Sequence, residues 1–365
     1  MIEGLENRGN LYRLKKCMKR CMAGEEITLG FIGGSITMGS LSSTSATCYA
    51  YLVYKWWVKK FPKAKIHYVN AGIGGTTSQF GVARAESDLL CYRPDFVGIE
   101  FSVNDENTDF FKETYEGLVR KIVSYETDPA VMLIHNVRYD GKTRAHQIHT
   151  EIGRAYDLPS ISMKEAIYGK VKEGSIPARE ITPDDLHPND KGHALVAGAI
   201  TNFLECVYKE VEQEETVPKW LQDPVTKNRY ENSKRYQNYN SSPVLEQFSI
   251  DHSRQDSITE FFKKGWTATK EGALIQFEIE GTELAVQYRK TIHKPAPIAE
   301  AVIDGEEEHK IKLDANFDED WGDCLYLQNL ASNLPMGKHL VTIRIIESHE
   351  NDQCPFYLVS LIGSH

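Results

Sequence analysis

An acid and a base lie three residues apart in Asp-Asp-Leu-His-Pro, residues 184–188. In a turn, that spacing lets the Asp184 carboxylate reach Nδ1 of the His187 imidazole and leaves Nε2 facing outward as a general base. Pro188 disfavours α geometry at His187 and so helps to fix the turn. Such a base needs a nucleophile, and Ser35 in Gly-Gly-Ser-Ile-Thr, residues 33–37, is the candidate. The two glycines let the chain turn sharply, and the serine then sits near backbone N–H groups that can stabilise an oxyanion. Two further segments offer donors to the same point. Gly75, in Asn-Ala-Gly-Ile-Gly-Gly-Thr-Thr-Ser, permits close backbone approach, and Asn104, in Ser-Val-Asn-Asp-Glu, carries a side-chain N–H donor. Taken singly, each of these has a plainer reading as a cap, a turn or a strand end. Together and in this order they describe the chemistry of an activated serine.

The elements that must position them are legible as alternation. Apolar β-rich runs at 27–32, 66–70, 96–101, 131–137 and 158–161 are separated by helical periodicity near 10–22, 48–61, 78–91, 112–126, 143–155 and 191–208. This is the pattern of a parallel sheet wrapped by helices, a three-layer α/β domain in which ligands bind at the carboxyl ends of the strands. Each candidate block follows a strand or, for 184–188, precedes the last helix, which Asn189 or Asp190 can cap. Beyond that helix the chain turns polar but carries Trp220, Tyr230, Tyr236 and Tyr239, which predicts an ordered strap rather than a free tether. From about Leu245 the period changes from 3.6 to 2, as in Ala273, Ile275, Phe277 and Ile279, with turn signals at 280–281, 304–305 and 336–337. Short strands without helix predict a β-sandwich. The expected organisation is therefore 1–209 catalytic, 210–244 strap and 245–365 sandwich.

The four blocks resemble those of the SGNH hydrolases, the GDSL-type esterase superfamily, over about residues 25–208. The resemblance implies a flavodoxin-like hydrolase domain, with Ser35 as nucleophile, His187 and Asp184 completing the triad, and Ser35, Gly75 and Asn104 as oxyanion donors. Ser35 Oγ would attack an ester carbonyl while His187 takes its proton, forming an acyl-serine that water then hydrolyses. Two departures stand out. Superfamily members usually carry an acidic residue where this chain has Gly34, and a glycine where it has Ser102. Neither removes a reacting group, but both bear on local backbone geometry.

Rival readings are weaker. The glycines at 30, 33, 34 and 39 do not give GxGxxG, and the second strand ends in Asn70 rather than an acid that would hold a ribose. Gly-Ser-Ile-Thr-Met lacks the GxSxG elbow of an α/β-hydrolase. The histidine pairs 187/193 and 146/149 are not arranged as zinc ligands, and solvated histidines are expected there. No cofactor and no metal are called for. A net charge of −10 would repel a phosphate backbone, so nucleic acid is an unsuitable partner. No apolar run reaches membrane-spanning length. The seven cysteines are scattered without a CxxC pair, and the basic amino-terminal stretch lacks the continuous apolar core of a secretory signal, so a cytoplasmic protein is expected. Its oligomeric state is open, a homo-oligomer included.

The substrate is the least determined part. Trp321, in Phe-Asp-Glu-Asp-Trp-Gly-Asp, suits a sugar contact, since hydroxyls bond carboxylates while apolar sugar faces stack on indole. Trp266, beside a strand start, is expected in the sandwich core. An SGNH domain followed by a jelly roll resembles bacterial carbohydrate acetylesterases, in particular carbohydrate esterase family 17, whose sandwich resembles carbohydrate-binding family 35. That resemblance implies O-deacetylation of acetylated manno-oligosaccharides. A lysophospholipase or acyl-thioesterase of the same superfamily, and a non-catalytic carbohydrate-binding protein, are the alternatives.

Overall fold

The structure is a computed structural model that describes residues 3–142, 144–218 and 222–365. Trp220 of the expected strap lies outside the described residues. The chain divides after Glu231 into two compact units.

In the first unit the chain runs β1 (Leu5–Asn7), α1 (Tyr12–Met22), β2 (Glu26–Gly33), α2 (Ser35–Met38), α3 (Tyr49–Lys60), β3 (Lys65–Gly72), α4 (Ser78–Asp88), β4 (Phe96–Glu100), α5 (Asp109–Val123), β5 (Ala130–His135), α6 (His146–Ala155) and β6 (Ser160–Ser162). A π-helical turn at Lys164–Tyr168 and two short helices, α7 (Gly169–Lys172) and α8 (Ala178–Ile181), lead to α9 (Asp190–Lys209). The sheet order is β1-β6-β5-β4-β2-β3. The five strands expected from the apolar runs are parallel in the flavodoxin-like order, and the order reverses between β2 and β4. That reversal opens a crevice beyond the ends of these two strands, and Ser35 and Asn104 follow them directly. β2 can be central because Ile27, Leu29, Phe31 and Ile32 are all buried, with Ile27, Leu29 and Phe31 joining α1, α3 and α9 in one core. The sheet is mixed rather than wholly parallel, because β1 adds an antiparallel edge against β6. Three residues carry no periodicity of their own, and the pairing depends on distant contacts such as Asn7 Nδ2 donating to Leu158 O at 2.8 Å.

Residues 222–231 are ordered on α5. The Glu116 carboxylate accepts the N–H groups of Val225 at 2.7 Å and Thr226 at 2.9 Å, and Glu113 pairs with Arg229 at 2.7 Å. Tyr230 is buried there, and a Cβ on Gly117 would lie 2.9 Å from its carbonyl carbon, so only glycine admits this approach.

The second unit comprises β7 (Lys234–Tyr236), β8 (Val244–Glu246), β9 (Ser249–Ile250), β10 (Trp266–Ala268), β11 (Leu274–Gly281), β12 (Glu283–Lys290), β13 (Ile298–Ile303), β14 (Ile311–Asp314), β15 (Cys324–Ala331), β16 (Gly337–Glu347) and β17 (Phe356–Ser364). They form two antiparallel sheets, β15-β12-β17-β10-β9 with β7 also on β17, and β14-β13-β16-β11-β8. Alternate residues Ile275, Phe277 and Ile279 face inward, as the period of two requires. Trp266 is fully buried, edge-on to Phe277 at 5.0 Å, as expected of a core residue. Trp321, by contrast, is 59% exposed.

Candidate active site

The candidate reacting side chains sit on a turn, a four-residue helix and a loop. α2 begins at Ser35 directly after β2, and the Ser35 N–H, at the first helical position, lacks an intrahelical acceptor. The Ser35 side chain is largely buried. His187 Nε2 lies 2.9 Å from Ser35 Oγ, and His187 Nδ1 lies 2.6 Å from Asp184 Oδ2. Serine, imidazole and carboxylate are thus one hydrogen-bonded chain, although 152 residues separate its first two members.

The loop holding the base is braced from within. Asp184 Oδ1 accepts the backbone N–H groups of His187 at 2.7 Å and Leu186 at 3.0 Å. Burial pushes this carboxyl up, but the hydrogen bonds from the His187 ring and those two N–H groups outweigh it and hold Asp184 at about 2. A carboxylate so stabilised remains charged and keeps the imidazole oriented. Asn189 caps α9 through Gly192 N–H at 3.1 Å, while Asp190 turns away to bind Ser43.

The oxyanion candidates flank the serine. Gly75 adopts a left-handed conformation, φ 68°, which favours glycine. A Cβ on the preceding Gly74 would lie 3.7 Å from Ser35 Cβ, so this turn borders Ser35. Asn104 lies on the other side, and its side chain explains a departure noted in the sequence. A Cβ on Gly34 would fall 2.2 Å from Asn104 Oδ1. The Asn104 amide occupies the space a side chain at position 34 would need, and glycine is the residue that permits it. The second departure, Ser102, donates from Oγ to Asn136 O at 2.8 Å and ties the end of β4 to β5.

Three residues given no role in the sequence reading, Asn70 at the head of the Gly75 segment among them, support this arrangement. Asn70 donates from Nδ2 to Thr37 O at 2.8 Å, and the fully buried Arg84 donates to Gly33 O at 3.1 Å. Glu100, the last residue of β4, is buried with its carboxyl toward Thr37 and Ser102. Their signal in the sequence is a polar residue inside an otherwise apolar run, as in Phe-Val-Gly-Ile-Glu-Phe, residues 96–101.

The expectation of solvated histidines fails at two positions. His193 is buried, with Nδ1 accepting Tyr49 N–H at 3.3 Å and Nε2 3.3 Å from Ser40 O. His149 is buried against the Tyr115 ring, its Nε2 3.0 Å from Asp105. Both act as packed hydrogen-bonding groups on helix faces that turn inward. Among the described residues no group of three His, Cys, Asp or Glu side chains is placed to hold a metal ion. Among the same residues no helix is long and apolar enough to cross a membrane.

The model of the GDSL-like Lipase/Acylhydrolase family matches residues 31–195. A two-domain esterase active on acetylated mannans, known from its crystal structure, is 56% identical, with a TM-score of 0.96 over 99% of this chain and 97% of that one. The chain belongs to the GDSL-like lipase/acylhydrolase family. As a GDSL-like acylhydrolase it is a carboxylic ester hydrolase. A crystal structure of the same description, co-crystallized with mannopentaose, is 55% identical to this acylhydrolase over 99% of the chain and 96% of its own, with a TM-score of 0.93. The acylhydrolase is also 29% identical to the acetylxylan esterase of Geobacillus stearothermophilus, over 46% of this chain and 90% of that one.

Proposed function

We propose that this chain removes O-acetyl groups from acetylated manno-oligosaccharides through an acyl-serine intermediate. The observation that carries the reading is the likeness, over nearly the whole of both chains, to an esterase that acts on acetylated mannans. Ser35 Oγ attacks the acetyl carbonyl as its proton passes to His187 Nε2 across the 2.9 Å contact. Asp184 stabilises the imidazolium that forms. The tetrahedral oxyanion is held by the N–H groups of Ser35 and Gly75 and by the Asn104 amide, each donor lowering the barrier by about 3 kcal/mol. His187 then returns the proton to the departing sugar hydroxyl, and water repeats the sequence to release acetate. Trp321, exposed and edge-on to Phe317 at 5.0 Å, is the proposed sugar-stacking residue of the sandwich unit. The seven cysteines, none bonded to another, suit the reducing cytoplasm, which is the proposed compartment.

The test is proton NMR of deacetylation on acetylated manno-, xylo- and chito-oligosaccharides, with a long-chain acyl thioester alongside and Ser35→Ala as the control. Loss of the manno-oligosaccharide acetyl signals by wild type, and none by Ser35→Ala, is the expected result. Turnover of the thioester in preference to every sugar ester would replace this reading with an acyl-thioesterase.

A further inference from the structure

Glu100 has no counterion. Its carboxyl is fully buried, and among the described residues it forms no ion pair. The titratable groups facing it are Asp105 in the loop after β4, Tyr49 of α3 and Tyr115 of α5, none of them cationic. The buried guanidinium of α4, Arg84, is directed to Gly33 O and Asp88 instead. A bare carboxylate in such a place is costly, so the position of protons around it decides what the residue does.

The hydrogen-bond pattern around it is compatible with a proton on Glu100. Ser102 has a single hydroxyl proton, and its shortest contact is to Asn136 O at 2.8 Å, a carbonyl that can only accept. The remaining contact of Ser102 Oγ, 3.3 Å to Glu100 Oε1, is long for an O–H···O bond, and a carboxyl proton can fill it once the Ser102 proton goes to Asn136 O. On the other side, Thr37 Oγ1 lies 3.4 Å from Glu100 Oε2 and 2.8 Å from the Tyr49 hydroxyl. With Glu100 neutral, every group donates once. Tyr49 donates to Thr37, Thr37 to Glu100, Glu100 to Ser102, and Ser102 to Asn136. With Glu100 ionised, Ser102 has one proton to divide between the carboxylate at 3.3 Å and the Asn136 carbonyl at 2.8 Å. The Asn136 amide, which lacks another partner, also faces this carboxyl and is compatible with its carbonyl oxygen.

The chain joins the two halves of the site. Thr37 lies in α2, two residues after Ser35, and Ser102 lies two residues before Asn104. The Glu100 backbone reinforces the link, pairing in register with Gly33 and accepting the Gly34 N–H at 3.3 Å. We propose that Glu100 is a positioning residue that works as a neutral acid, its proton locking the nucleophile turn to the strand end that carries Asn104. Burial pushes this carboxyl up to about 7, aided by the Asp105 charge and opposed by the polar groups of Ser102, Thr37 and Asn136 that face it. The enzyme therefore loses the lock as pH rises through neutrality, and kcat falls on the alkaline side while KM holds.

The proposal rests on the roles assigned to Ser35 and Asn104, and its test separates the two. Glu100→Gln keeps a donor toward Ser102 and an acceptor toward Thr37, whereas Glu100→Ala keeps neither. The expected result is that Glu100→Ala lowers kcat by about 30-fold or more with KM within about two-fold, and that Glu100→Gln recovers most of that loss and has no alkaline decline. Burial pushes Asp105 up to about 7 as well, so difference infrared spectra between pH 6 and pH 9 are recorded in the Asp105→Asn background, where the loss of a protonated-carboxyl band is expected and adding Glu100→Gln should abolish it. An alkaline decline that persists in Glu100→Gln overturns the proposal. So does the infrared band surviving when Glu100→Gln is added to Asp105→Asn, a readout that needs no activity. Turnover by Ser35→Ala would sink the esterase site itself without touching the infrared result.

Discussion

Asp184→Asn isolates the orientation of the base from every other feature of the site. At Asp184 Oδ1 the structure requires an acceptor, because the N–H groups of Leu186 and His187 point at it from 3.0 and 2.7 Å. An asparagine keeps both bonds only with its carbonyl oxygen at that corner. Its NH2 group then faces His187 Nδ1, which in the wild type lies 2.6 Å from Oδ2. Nδ1 must become the acceptor, so the imidazole proton moves to Nε2 and points at Ser35 Oγ, 2.9 Å away. The base is present, correctly placed and unable to accept. Loss of the tautomer costs about 10⁴-fold in kcat where it has been isolated in a serine triad, about 5.5 kcal/mol of barrier. The fold should be almost untouched, since both backbone donors stay satisfied. Asp184→Ala strips them of their partner and should lower the melting temperature as well. Steady-state kinetics on an aryl acetate give kcat, and ¹⁵N shifts of the His187 ring report which nitrogen carries the proton. A kcat within ten-fold of wild type, or a ring still protonated on Nδ1 in an inactive Asp184→Asn, would refute the reasoning.

Other outcomes follow from the same structure. Asn104→Ala should lower kcat about 100-fold with little change in KM, because the amide acts on the oxyanion; a change confined to KM would make it a substrate-positioning group. Trp321→Ala should weaken binding of a manno-oligosaccharide about 10-fold, the loss of one stacking contact, and leave aryl acetate hydrolysis as before. Equal loss on both, with a lower melting temperature, would make the residue structural. Folded Glu100 holds its proton up to about 7, while the unfolded chain releases it above the ordinary carboxyl value. Between about pH 4.5 and 7 the native state therefore binds the extra proton, and stability falls as pH rises, by about 3 kcal/mol in all. Urea unfolding of wild type against Glu100→Gln across this range should show the wild type losing ground by that amount; parallel curves would place the proton elsewhere.

Much of the site was legible in the sequence because its signals are local. The three-residue spacing of Asp184 and His187 is a property of one turn, and Ser35, Gly75 and Asn104 each mark a strand end, where chain direction must change. The parallel strands declared themselves as apolar runs, and the sandwich as alternation with a period of two, since each pattern records which faces of an element meet water. The contact between His187 and Ser35 was not local: it exists because the loop before α9 meets the carboxyl end of β2. Similarly, β1 is a strand only because β6 offers it an edge, and its three residues carry no pattern of their own. His149 and His193 were expected in solvent and are buried, because polarity predicts exposure only until a partner such as Asp105 or Tyr49 N–H is brought within reach. Gly34 read as a departure until the Asn104 amide was found in the place of its missing side chain. Glu100 is the same lesson in charge: the sequence shows an acid in an apolar strand, but only the packing of α2 and the β4 end around it decides that the acid keeps its proton.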